Sequence, residues 1–167
     1  MLMHFIKKEI WLMAAKTLII YYSWSGTTKR AAQALANQVD ADVVELTVAP
    51  QTFSSDMFAT SDVAKTQLRT GDLPTLTSAL PDFDQYTTIL VGGPVWSSMV
   101  ATPVRSLLTK LAMYTGTVAP FYTDAGTAGD YEQDFAGLIP QVTVKSGLEV
   151  NGQSADQLTA WIQTVMG

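Results

Sequence analysis

Cysteine is absent from this 167-residue chain, and histidine occurs once, as His4. The first absence excludes disulfides, thiol nucleophiles, thiolate zinc sites and cysteine-ligated iron–sulfur clusters. The second leaves a serine nucleophile without a base in the main body of the chain, and no G-x-S-x-G elbow presents one. No grouping of histidines and carboxylates marks a metal-dependent hydrolase. Positive charge is also short: 10 Lys and Arg stand against 15 Asp and Glu, a net charge of -5. A general nucleic-acid binder needs the opposite balance, because its affinity comes from neutralising phosphates. Acidity of this kind instead accommodates a positively charged partner. Apolar runs are short as well. Lys7, Lys8, Glu9 and Lys16 interrupt the N-terminal stretch, so nothing there reaches the roughly 20 apolar residues of a membrane span.

What is present fits a compact globular domain. Apolar residues make up 47% and charged residues 15%, a balance that separates the chain from disordered sequences. Its length suits one domain. The stretch "IWLMAA" is shorter than the apolar core of a signal peptide, which runs to about 7 to 15 residues. "MAAKTLIIYYS" instead leads directly into a first strand. We therefore expect the domain to occupy residues 13–167, with residues 1–12 an extension that is either loose or packed on the surface. The cytoplasm is the simplest compartment.

Apolar, β-branched and aromatic residues at 17–22 predict a buried strand. Ala31, Ala34, Leu35 and Val39 recur at helical spacing and predict an amphipathic helix over 27–39. Further strands are expected at 42–48, 87–93, 117–123 and 141–150. Helices are expected within 55–71, closed by Gly71, and over 102–113, with Pro103 in the first turn. Two more are expected over 131–138 and over 154–165, the last with Ser154 as N-cap. Strands that alternate with helices, each nearly uniformly apolar, imply a parallel sheet covered on both faces. The prediction is an α/β fold, a doubly wound three-layer sandwich around a five-stranded parallel sheet.

In such sheets ligands bind beyond the carboxyl ends of the strands. Three loops leave those ends with unusual composition. The first, Ser23-Trp24-Ser25-Gly26-Thr27-Thr28, connects a strand to a helix and aims free amides and a helix dipole at one point. Its hydroxyls add donors, and Gly26 allows a tight turn. It contains no lysine, unlike the G-x-x-x-x-G-K-[ST] loop of nucleotide hydrolases, so it reads as a neutral cradle for a single phosphomonoester. The second, "GGPVWSSMVATP", sets Trp96 on an otherwise polar turn, where it could stack on a flat ring, with Gly92 and Gly93 permitting close approach. The third, "YTDAGTAGDY", is tight and could address the edge of a heterocycle. Together the loops describe a ligand that is phosphorylated, flat and polar at its edge.

That combination resembles the flavodoxin family, in which [ST]-x-[ST]-G-x-T follows the first strand, and the resemblance runs from about Lys16 to the end of the chain. It implies a flavodoxin-like fold that binds flavin mononucleotide (FMN) without a covalent link. Ser23, Ser25, Gly26, Thr27 and Thr28 would hold the phosphate. Pro94, Val95 and Trp96, with Ser97 beside them, would line the ribityl chain and one ring face. Asp124, Ala125 and Gly126 would approach the pyrimidine edge, with Tyr131 as a second aromatic. Trp24 would flank the flavin, cover the phosphate loop or meet another subunit. The pattern departs from the family where Ser97 and Ser98 follow Trp96, in place of a Gly-Asp pair. It departs again where carboxylates crowd the third loop (Asp124, Asp130, Glu132, Asp134) while the second has none and is followed by Arg105.

Two redox functions are open on this reading. One is electron carriage to a redox partner protein or small acceptor. The other is an FMN-dependent oxidoreductase of the NAD(P)H:quinone type, with room for a second flat ring. A non-redox module recognising another phosphate is a third possibility. Monomer and homodimer both fit.

Overall fold

The buried run Thr17–Tyr22 forms the first strand, β1, and lies at the centre of the molecule. Leu18, Ile20 and Tyr22 face one hydrophobic core, and Ile19 and Tyr21 face the other. A strand apolar on both faces has to be covered on both, which is the physical origin of the three layers. The computed structural model describes residues 16–167; the expected extension at 1–12 lies outside the described residues.

After β1 come α1 (Thr27–Ala36), β2 (Asp42–Leu46), α2 (Met57–Thr70), β3 (Thr88–Trp96) and β4 (Met99–Val100). The chain continues with α3 (Thr102–Lys110), β5 (Thr117–Thr123), α4 (Tyr131–Leu138), β6 (Thr143–Val144), β7 (Leu148–Glu149) and α5 (Ala155–Met166). Strand order is β2-β1-β3-β5-β6, all parallel; β7 pairs with β5 beyond β6, and β4 pairs antiparallel with β3. α1 and α5 cover one face through Ala32, Leu35, Leu158 and Ile162, while α3 and α4 cover the other through Val104, Leu107, Tyr131 and Phe135. The fold is the doubly wound flavodoxin-like sandwich, its core five parallel strands.

Several boundaries differ from the sequence reading. α1 stops at Ala36, and it is Ala32 that lies buried with Leu35. α3 stops at Lys110. β2 ends at Leu46 and, as the outermost strand, leaves Asp42, Val43 and Glu45 exposed rather than buried. Both α2 and α5 end as their sequences demand: Gly71 closes α2 at φ 74°, and Ser154 with Gln157 completes a capping box at the start of α5.

The fifth strand is interrupted, and proline explains why. Val118 and Tyr122 carbonyls accept from Lys145 and Val150 amides, so β5 turns every second residue toward that neighbour. Pro120 is the next in that series and has no N–H to give. The chain therefore leaves the ladder between β6 and β7. Its freed groups are satisfied from the helical layers: Trp161 Nε1 donates to the Ser146 carbonyl at 2.9 Å, and Glu132 Oε1 accepts from the Gly147 amide at 2.6 Å.

β3 continues past its expected end because β4 pairs back on it, Val95 opposite Val100 and Trp96 opposite Met99. The two-residue turn between them has Ser97 at φ 52° and Ser98 at φ 63°. Both positive values are what a type I′ hairpin turn requires, and serine is a costly residue there. Asparagine tolerates this region better, so Ser97→Asn is expected to stabilise the apoprotein by about 0.5 kcal/mol in urea denaturation; a loss of stability would contradict the strain assigned to this turn.

Candidate functional site

The loop after β1 is built around Gly26, which precedes α1 at φ 94°. Ser23 Oγ accepts from the Gly26 and Lys29 amides, both at 3.1 Å, and so fixes the turn from beneath. The amides of Ser25, Thr27 and Thr28 donate to no protein acceptor among the described residues. Three free donors at the positive end of a helix are the arrangement that suits an anion. The Ser25 and Thr27 hydroxyls lie 3.3 Å apart at its rim. The Thr28 hydroxyl is turned inward, buried, and bonded to Thr123 Oγ1 at 2.9 Å. The side chains of Ser23 and Thr28 thus shape the cradle instead of opening into it.

The same Thr28–Thr123 bond ties this loop to the end of β5, and Pro94 lies opposite Thr123 in the β3–β5 ladder. Across the mouth, Ser98 of the hairpin seats directly against Gly129 of the third loop. The three loops therefore meet at one place, beyond the carboxyl ends of β1, β3 and β5. Gly92 and Gly93 serve another purpose than the ligand access expected of them. A Cβ on Gly92 would run into the Phe121 ring, and one on Gly93 would stand 2.6 Å from Val104 Cγ2. These glycines make room for core side chains.

Trp96 is half-buried, not displayed on a polar turn. Its ring lies edge-on to Tyr22 at 5.9 Å and to Phe53 at 5.2 Å. Burial pushes the Tyr22 hydroxyl up to about 12, so it stays neutral. Trp24 Nε1 donates to the Ser54 carbonyl at 3.0 Å, which fixes the indole as a wall between two grooves. One, of about 450 Å³, runs between Ser23 and Phe53; the other, of about 460 Å³, is lined by Met57, Phe58, Ala64, Trp96 and Met99.

On the third loop, Asp124 is held through its backbone: its N–H donates to Asn151 Oδ1 and its carbonyl accepts from Asn151 Nδ2, each at 3.0 Å. Asp124 Oδ1 accepts from the Gly126 amide, while Oδ2 is buried without a partner. Interaction with the neighbouring Asp124 carboxyl raises the Glu149 carboxyl above its usual range. Ala125 and Gly126 are exposed beside it.

Two expectations for this loop are corrected. Tyr131 is fully buried, its ring packed on Tyr122 at 4.6 Å and on Phe135 at 6.3 Å, and belongs to the core rather than to a ligand surface. Glu132 and Asp134 are not part of an acidic rim either. Glu132 Oε2 accepts from the Tyr122 hydroxyl at 2.6 Å, and Asp134 Oδ2 pairs with the Arg105 guanidinium and accepts from the Val100 amide at 2.9 Å.

The sequence reading also missed residues. Phe53 and Asn151 carry no local signal. Arg30 does: it stands three residues beyond Thr27 on α1, a spacing that returns its side chain to the loop.

Residues 16–165 match a family profile described as flavodoxin. A flavoprotein from Lactobacillus acidophilus NCFM, solved in complex with FMN, is 33% identical with a TM-score of 0.81, over 92% of this chain and 99% of that one. The apo form of a flavoprotein from the same organism is 37% identical with a TM-score of 0.67, over 88% and 99%. A Bacteroides uniformis flavoprotein is 27% identical with a TM-score of 0.77, over 89% and 98%. No curated protein matches.

Proposed function

We propose, for a chain that belongs to the flavodoxin family, that it binds FMN non-covalently where its three loops meet and serves as an electron carrier. The observation that carries this reading is the set of unpartnered amides at Ser25, Thr27 and Thr28 around Gly26. They fit a phosphate, and the hydroxyls of Ser25 and Thr27 stand beside them. Pro94, Val95, Trp96 and Ser97 would line the rest of the cofactor, with Asp124, Ala125 and Gly126 toward its polar edge. Bound flavin supplies the electron chemistry, and the protein supplies binding, orientation and electrostatics. The exposed acids of the first and third loops' surroundings (Glu45, Asp130) suit a basic redox partner. No helix among the described residues is long and apolar enough to cross a membrane. A cytoplasmic carrier is the reading we adopt.

The test is a titration of the purified protein with FMN, followed by the visible band and the quenching of flavin fluorescence. Saturable binding of one flavin per chain supports the proposal; absence of binding overturns it. Thr27→Val should weaken FMN binding by about 1.5 kcal/mol, roughly tenfold, through loss of a hydrogen bond to a charged oxygen. The same titration checks this, with unchanged affinity as the contrary result.

A second reading is favoured by one feature. The groove of about 460 Å³ beside Trp96 is predominantly apolar and could admit a second flat ring, as an FMN-dependent NAD(P)H:quinone-type oxidoreductase needs. Steady turnover of NADPH with a naphthoquinone would select this function over carriage.

A further inference from the structure

We propose that Arg30 is the residue by which this chain prefers FMN to unphosphorylated riboflavin. The inference rests on the FMN reading above. It begins with an anomaly in α1. Helices usually place acidic residues in their first turn, where they meet the positive end of the dipole. α1 has none there and carries Lys29 and Arg30 instead. Left alone, two cations at that end oppose the dipole.

The two residues are used differently. Lys29 turns away to β2, where its ammonium lies 3.5 Å from Glu45 Oε2. Arg30 turns toward the loop. Its Nη2 donates to Thr27 Oγ1 at 3.3 Å, and its Nη1 stands 3.3 Å from the point where a Cβ on Gly26 would sit. The guanidinium thus lies along the turn that holds the free amides of Ser25, Thr27 and Thr28. Among the described residues it pairs with no carboxylate; the ion pairs there are Lys29–Glu45 and Arg105–Asp134. An arginine fork with donors to spare, a positive helix end and three unpartnered amides all converge, and no anion from the chain answers them. A phosphate monoester, with its charge of nearly −2 and three acceptor oxygens, completes the set. Riboflavin, which shares the ring and ribityl chain, does not.

The sequence suggests a neutral cradle; the structure gives it one cation. Arg30 is exposed, so its action is sensitive to salt as well as to substitution.

The experiment titrates the apoprotein with FMN and with riboflavin by flavin-fluorescence quenching, for wild type, Arg30→Leu, Arg30→Lys and Lys29→Gln. Arg30→Leu is expected to weaken FMN binding by about tenfold and to leave riboflavin binding within about twofold. Arg30→Lys should fall between, because it keeps the charge and loses the planar fork. Lys29→Gln should match wild type. Circular dichroism of each variant checks that the fold is kept. Equal weakening toward both flavins, or no change toward either, overturns the role of Arg30 while leaving FMN binding itself in place. Failure of wild type to bind FMN overturns both readings.

Discussion

Asp134→Ala should lower the unfolding free energy of the apoprotein by about 3 kcal/mol, at the lower end of the effects seen when one partner of a buried ion pair is removed. Its carboxylate has two partners, the Val100 amide at 2.9 Å and the Arg105 guanidinium, whose Nε in turn donates to the Val100 carbonyl at 3.0 Å. Alanine leaves that guanidinium, only 11% exposed at the side chain, without a counter-charge and strips Val100 of its acceptor. In a chain of this size the loss corresponds to roughly 6 to 12 °C in Tm. Asp134→Asn keeps an acceptor for Val100 and should cost about half as much. The pair anchors β4, and β4 holds the turn that carries Ser97 and Ser98, so FMN affinity should fall along with stability. Urea denaturation of both variants decides the matter. A loss below about 1 kcal/mol for Asp134→Ala would mean that the anchor is idle.

The second large effect lies beneath the sheet end. Phe121 is fully buried, and its ring occupies the space that a side chain at position 92 would fill. Phe121→Ala should cost about 3 to 5 kcal/mol, and Gly92→Ala about 1 to 3 kcal/mol through overpacking. Combined, the two should cost less than their sum, because removal of the ring accommodates the new methyl. The ring also meets Trp161 edge-on at 6.5 Å, so it cannot simply swing aside. A double-mutant cycle in urea measures the coupling. Additivity within about 0.5 kcal/mol would show that the two positions are independent and that the glycine has another cause.

Much of the fold was legible where the signal is local. β1, β5 and α4 begin and end as read. The cradle was legible for the same reason: hydroxyls, a glycine and a helix start follow one another in sequence. What escaped depends on residues that meet only in space. The break between β6 and β7 is caused by Pro120, which lies in the neighbouring strand. The glycine pair at 92–93 looks like access for a ligand until Phe121 and Val104 are seen to fill it. Tyr131, Glu132 and Asp134 adjoin a glycine-rich loop and so look like site residues. They open α4, and α4 turns them toward Tyr122, Gly147 and Arg105. Reading the first loop only to Thr28 hid Arg30, whose contribution needs one more turn of helix.

The interrupted strand has a consequence for how copies of the molecule meet. An open sheet invites another chain to extend it, and long flat edges seed aggregation. Here the β6–β7 margin offers two stretches of two residues each, separated by a detour whose peptide groups are already occupied by Trp161 and Glu132. The opposite margin, β2, leaves Asp42, Val43 and Glu45 exposed, with Glu45 paired to Lys29 and Asp42 accepting from the Tyr86 hydroxyl. One edge therefore offers a neighbouring strand only two short, separated stretches, and the other meets it with a row of exposed side chains that begins at Asp42.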